Sequence, residues 1–149
     1  RVATKTLATK HNTFRRTITV DNICEICGAE REDEHHAVFS CTRSVALRRA
    51  LRDVWDLPKD SEFRFTGPDW LQLLLLANPK EVRCKILLMM WQAWNLRNNV
   101  VHGDGKDTVT GSVQYLTRLQ DELLVIAYGL RENPANPEAT APPRLLVNG

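Results

Sequence analysis

A chain of 149 residues with 43% hydrophobic content fits one ordinary domain with room for a real core. No apolar run approaches the roughly 20 residues that a membrane-spanning helix needs, which excludes that class of protein. The formal charge of +2 is too small to name a partner by itself, but the charges are unevenly placed.

Residues 1–20 carry Arg1, Lys5, Lys10, Arg15 and Arg16 and no acid, so the chain opens on a basic arm. The first residue is Arg rather than Met, from which a piece of a longer polypeptide is expected. No period of 3.6 or 2 holds for long in the arm. A short helix or extended segment around 10–16 is expected, then a brief strand over 17–20, with Leu7, Phe14 and Ile18 as anchors. Lys10, Arg15 and Arg16 are candidate phosphate contacts, although charged residues are normally exposed whatever they do.

The stretch 24–41 reads C-E-I-C-G-A-E-R-E-D-E-H-H-A-V-F-S-C. Two thiolates two residues apart can both turn inward on a tight loop, and Gly28 directly after the second permits the positive φ such loops need. A histidine and a third cysteine follow at H-x4-C, giving four ligands for one tetrahedral Zn²⁺: Cys24, Cys27, His36 and Cys41. His35 is the rival to His36, and the spacing favours His36. The intervening acids Glu30, Glu32, Asp33 and Glu34 are expected to form a solvated loop. Four cysteines in this length are sparse for a disulfide scaffold, so a metal site is the expectation.

From Thr42 to Trp55 the apolar residues Leu47, Ala50, Leu51, Val54 and Trp55 recur at helical steps. Arg48, Arg49 and Arg52 are expected on the opposite side, and with Arg43 they extend the candidate phosphate-binding set. Cys41 stands where this helix begins, so a bound metal would fix where its arginines point. Phe63 and Phe65 are expected to plug a polar connection, and the run 70–77 suits a short buried helix or a docking surface. Asn78, Pro79 and Glu81 predict a helix start with Asn78 as N-cap, the helix running to about residue 101 and closed by His102 and Gly103. Its core face is Val82, Ile86, Met90, Ala93 and Val100, and Cys84 is expected to be a buried small hydrophobe.

A second stripe of the same helix holds Trp91, Trp94, Asn95, Asn98 and His102. Its aromatics either pack inside or stack on unpaired bases, and Arg97 and Asn98 are expected to stitch the helix to its neighbours. A last helix over 109–130 should face the core with Val113, Leu116, Leu119 or Gln120, Leu123, Ile126 and Leu130. From Asn133 the Pro- and Ala-rich composition predicts a linker.

Three of these pieces, L-A-T-K-H-N-T-F-R-R-T-I-T-V-D-N, C-E-I-C-G with H-A-V-F-S-C, and W-Q-A-W-N-L-R-N-N-V-V-H, resemble the reverse transcriptase zinc-binding domain of plant LINE-type (non-LTR) retrotransposon polyproteins. The resemblance implies a structural zinc on Cys24, Cys27, His36 and Cys41, a polymerase upstream, an RNase H-like domain downstream, and action in the nucleus. The polymerase's paired aspartates after an aromatic are missing here, and four protein ligands close a zinc shell, so no catalysis is expected.

The reading is thus a mainly α protein with a small N-terminal zinc-knuckle-like CCHC lobe. The expected division is an arm and lobe over 1–41, a helical domain over 42–132 and a linker over 133–149. Its expected role is a non-catalytic module that binds RNA or DNA, or alternatively a connector between polymerase and nuclease.

Overall fold

The structure is a computed structural model that describes residues 7–132, the last three by their backbone alone. The expected linker over 133–149 and the basic residues Arg1 and Lys5 lie outside the described residues. Five α-helices follow in order: α1 (Lys10–Arg15), α2 (Thr42–Leu51), α3 (Trp70–Leu76), α4 (Lys80–His102) and α5 (Val109–Glu132). A π-helical turn, His36–Ser40, precedes α2 and a 3₁₀ turn, Asp60–Phe63, precedes α3. Among the described residues there is no strand, only a single antiparallel bridge between Ile23 and Arg31. Among the described residues no helix is long and apolar enough to cross a membrane.

The chain divides into two compact units, residues 1–116 and residues 117–149. In the first, the π turn packs against both α2 and α4, and α2 packs on α4. Leu47, Leu51, Ile86, Met89, Leu96 and Leu116 are almost wholly buried around that junction, joined by Phe39 of the turn. Trp55 and Phe63 also plug the core, whereas Phe65 stays more than half exposed.

α1 is short and is held by capping rather than by an apolar face. The Thr9 hydroxyl accepts from the Asn12 backbone N–H at 3.2 Å, and the Asn12 amide donates to the Leu7 carbonyl at 2.8 Å and to the Glu34 carboxylate. Phe14 and Ile18, expected as anchors, are 43% and 69% exposed, because Thr9 and Asn12 do the anchoring. Residues 17–20 form a turn and bends, not the expected strand.

α3 buries only Trp70 and Leu74 and leaves Leu73 and Leu76 exposed. Asn78 does not cap α4 as expected: its amide donates back to the Leu74 carbonyl at 2.8 Å, closing α3. Arg83 adds a bond to the Leu75 carbonyl at 2.6 Å. α4 starts after Pro79, whose carbonyl accepts from Arg83 N–H. Its inner face includes Met89, Gln92, Leu96 and Arg97 beside the expected Ile86, Met90 and Ala93, while Cys84 is exposed rather than buried.

In the second unit, the helical residues from Thr117 expose Leu123, Leu124, Val125, Ile126 and Tyr128. The expected core stripe of α5 therefore holds at Leu116 and does not continue to Leu123 and Ile126, both about half exposed.

Candidate metal centre

The first pair of cysteines sits on a tight loop. Gly28 N–H donates to the Cys24 carbonyl at 2.9 Å, Cys24 N–H donates to the Glu30 carbonyl at 2.8 Å, and Gly28 itself takes φ 67°, the left-handed region that favours glycine. The second pair is set by the π turn. Cys41 N–H closes on the His36 carbonyl five residues back at 2.8 Å. In a regular α-helix residues five apart point about 140° away from each other. The wider turn and the extended backbone of Cys41 bring imidazole and thiol to the same side instead.

The result is one cluster: the ligating atoms of Cys24, Cys27, His36 and Cys41 all lie within 4.8 Å of one another. Cys24 Sγ stands 3.8 Å from Cys41 Sγ, and Cys27 Sγ stands 3.5 Å from His36 Nε2. A tetrahedral ion with bonds of about 2.3 Å to sulfur and about 2.0 Å to nitrogen separates its ligands by about 3.8 and about 3.5 Å, so the residues fit. All four cysteines are free, and 3.8 Å is far too long for a disulfide. This group can hold a metal ion.

His36 is oriented from behind. Its Nδ1 lies 3.2 Å from Ser40 Oγ and 3.4 Å from the Glu30 carboxylate, which leaves Nε2 for the metal side. His35 is no ligand. It is buried edge-on against Phe39, Phe65 and Trp70, and its Nε2–H donates to the Phe63 carbonyl at 2.7 Å. Burial pushes its pKa below the ordinary value, in keeping with a neutral ring in the core.

Protons compete for the same four groups. Burial pushes the Cys24 thiol up to about 12, while the Ala29 backbone amide, aided by Glu30 N–H and the His36 ring, draws Cys27 down to about 7. The His36 ring is raised to about 9, chiefly by its hydrogen bond to Cys41. At Cys41 burial pushes up, but the His36 ring, the Arg43 backbone amide and the Cys24 thiol together bring it below the ordinary value. A dication taking these positions would displace the protons, coupling its affinity to pH.

Of the acids between the ligand pairs, expected as a solvated loop, Glu30 is open to solvent but Glu32 and Glu34 are enclosed. Glu32 is 1% and Glu34 5% exposed. Glu32 accepts from Arg97 Nε at 2.9 Å, from Arg97 Nη2 at 2.7 Å and from the Lys10 backbone N–H at 2.7 Å. One carboxylate thereby ties the arm, the metal lobe and α4 together. Arg97, expected as a stitching residue, does that work with its guanidinium over the Trp94 ring at 4.7 Å and a further bond to Asn98. No sequence pattern points to Glu32 as its partner.

The basic residues do not share one fate. Arg15, Arg16 and Arg49 are exposed. Lys10 lies between Asp21 at 3.8 Å and Glu25 at 3.7 Å, and Arg43 donates to the Asp107 carbonyl at 3.3 Å. Arg48 belongs to the core, which corrects its expected place on the open side of α2: it is 5% exposed, donates to the Phe39 carbonyl at 2.8 Å and pairs with Asp60 at 3.0 Å. The π turn leaves that carbonyl without a helical partner, and Ser44 serves the neighbouring Ala37 carbonyl in the same way at 2.8 Å. Arg52 shares Asp60 at 2.6 Å and also donates to the Pro58 carbonyl.

Comparison of the chain with protein-family models, with curated proteins and with solved structures gives no match in any of the three.

Proposed function

We propose that this chain is a non-catalytic zinc module of a retroelement reverse transcriptase polyprotein, working beside polymerase and RNase H-like domains on nucleic acid, RNA or DNA, in the nucleus. The observation that carries the metal part is the cluster of Cys24, Cys27, His36 and Cys41, whose three sulfurs and one imidazole suit zinc above harder cations. Four protein ligands leave no open position for a reacting water, so the ion's task is structural.

Support for nucleic acid comes from the residue types around that lobe. Arg15 and Arg16 close α1 and Arg49 stands on α2, exposed cations on elements attached to the metal site. Contacts of this kind grip phosphates without reading sequence. Exposed Leu73 and Leu76 on α3 favour a second reading, in which the module is a connector seated on a neighbouring protein domain.

Salt distinguishes the two. Binding to a short duplex should weaken by about 0.9 log unit per log unit of salt for each phosphate neutralised. Replacing Arg15, Arg16 and Arg49 together with Gln should flatten that slope while leaving metal content at one ion per chain. Absence of binding at low salt to duplex and single strand alike would overturn the nucleic-acid reading and leave the connector.

A further inference from the structure

Trp91 differs from the other tryptophans of the chain. Trp55 and Trp70 are buried and Trp94 lies beneath Arg97, but Trp91 is 47% exposed in the middle of α4. Its ring centroid lies 6.1 Å from that of Tyr115 on α5, the two planes tilted by 38°. These rings, both within the unit 1–116, line a groove of about 540 Å³ between α4 and the first turns of α5. An indole left in water wastes apolar area that the core of α4 does not need there.

The rest of the groove is polar and fixed. Gln92 donates to Ser112 Oγ at 2.9 Å, and Ser112 in turn donates to the Thr108 carbonyl at 2.9 Å. The loop on its rim is held by Asn99, whose carbonyl accepts from Gly103 and Gly105 N–H at 3.1 Å each and whose side-chain oxygen accepts from Asp107 N–H at 3.0 Å. At Gly103 a Cβ would come 2.9 Å from the Asn99 side-chain amide and 3.0 Å from its carbonyl oxygen, so a larger residue would force Asn99 to shift. Arg43 reaches across from α2 to the Asp107 carbonyl, and Lys106 borders the groove without an ion pair among the described residues. Asn95, one turn along α4 from Trp91, completes the rim.

We propose that this groove takes one unpaired base of a single-stranded nucleic acid. The base stacks on the Trp91 and Tyr115 pair, the Asn95 amide meets its edge, and the Lys106 ammonium meets the adjoining phosphate. The two rings already touch, so the base lies on the pair and not between its members. A duplex hides its base faces, whereas a single strand offers them, and stacking accepts any base. The inference rests on the nucleic-acid reading above and assigns to it a strand type and a place.

Intrinsic fluorescence tests it, because Trp91 is the most exposed indole. Short oligo-dT and oligo-U should each be titrated, with an abasic oligomer of equal charge alongside. Saturable quenching by dT or U and not by the abasic strand is expected, and the tighter of the two assigns DNA or RNA. Followed by anisotropy of a labelled strand, Trp91→Leu should lose about 10-fold in affinity with an unchanged salt slope, while Trp91→Phe keeps most of the binding. Salt-dependent binding with no response at Trp91 overturns the groove and leaves the nucleic-acid reading standing. Absence of any binding at low salt overturns both. Quenching by a polyproline peptide and by no oligonucleotide overturns the groove in favour of a protein ligand.

Discussion

Arg97 of α4 and Glu32 of the metal lobe form a two-point ion pair, at 2.9 and 2.7 Å, with both side chains almost wholly buried. Removing one partner leaves the other charged and enclosed, which costs about 3–5 kcal/mol. Arg97→Met should therefore lower the unfolding free energy by that amount, measured by urea titration followed by circular dichroism at saturating metal. The double variant Glu32→Leu, Arg97→Met should recover much of the loss. Equal stability of the single and double variants would show that the pair is not what joins lobe to helix.

The adjacent histidines should behave oppositely. His36→Ala should abolish stoichiometric metal uptake, because it removes one of four ligands from the cluster. His35→Ala should keep one ion per chain yet cost about 2–4 kcal/mol, since it opens a cavity among Phe39, Phe65 and Trp70. Metal content by mass together with thermal melts separates the two effects.

Ser40 and Glu30 should tune the site from outside it. Both lie within 3.4 Å of His36 Nδ1, and loss of such a partner usually weakens a metal 10-fold to about 100-fold. Competition with a chelator of known affinity should show Ser40→Ala near the lower figure and Ser40→Ala with Glu30→Gln further down. Unchanged affinity in the double variant would remove them from the site.

Chelation or Cys27→Ser should unravel the ligand loop over residues 17–31 while α4 keeps its helicity. That loop has one backbone bridge and buries only Cys24, whereas the π turn and α4 are packed through Phe39, Ile86, Met89 and Leu96. Amide hydrogen exchange checks this: protection should vanish over the loop and persist along α4.

Asp60 supplies the pH dependence. Its carboxyl is held below the ordinary carboxylate range by Arg48 first and Arg52 second. A lowered folded-state pKa means stability that is present above the ordinary range and lost as pH falls through the folded value. The side chain is half exposed, so screening limits the gain to about 1 kcal/mol. Asp60→Asn should cost about that at neutral pH, and its deficit against the parent chain should close below about pH 3.8, measured by urea midpoints.

The cluster of Cys24, Cys27, His36 and Cys41 could be read from the sequence because its spacing is local: a loop turned by Gly28 and one turn from His36 to Cys41. Helices α2 and α4 were legible for the same reason, as apolar residues recur along them at steps of three and four. What periodicity hides is a polar residue whose partner is far away. Glu32 looks like one acid in an acidic run until Arg97, 65 residues on, is placed beside it. Arg48 looks like surface charge until the π turn presents the Phe39 carbonyl to it. Cys84 failed the other way, since its general habit of burial does not outweigh its position on the outer face of α4.

The His36–Ser40 turn makes the lobe a device that counts residues. Substituting Val38 by another side chain of its size preserves the count, and deleting one residue would still let an ordinary helix set the thiol four places after His36, about 40° from it around the axis. Inserting one residue would instead put the thiol six places on, about 120° away and off the face of its three partners. This segment can drift in chemistry but cannot grow.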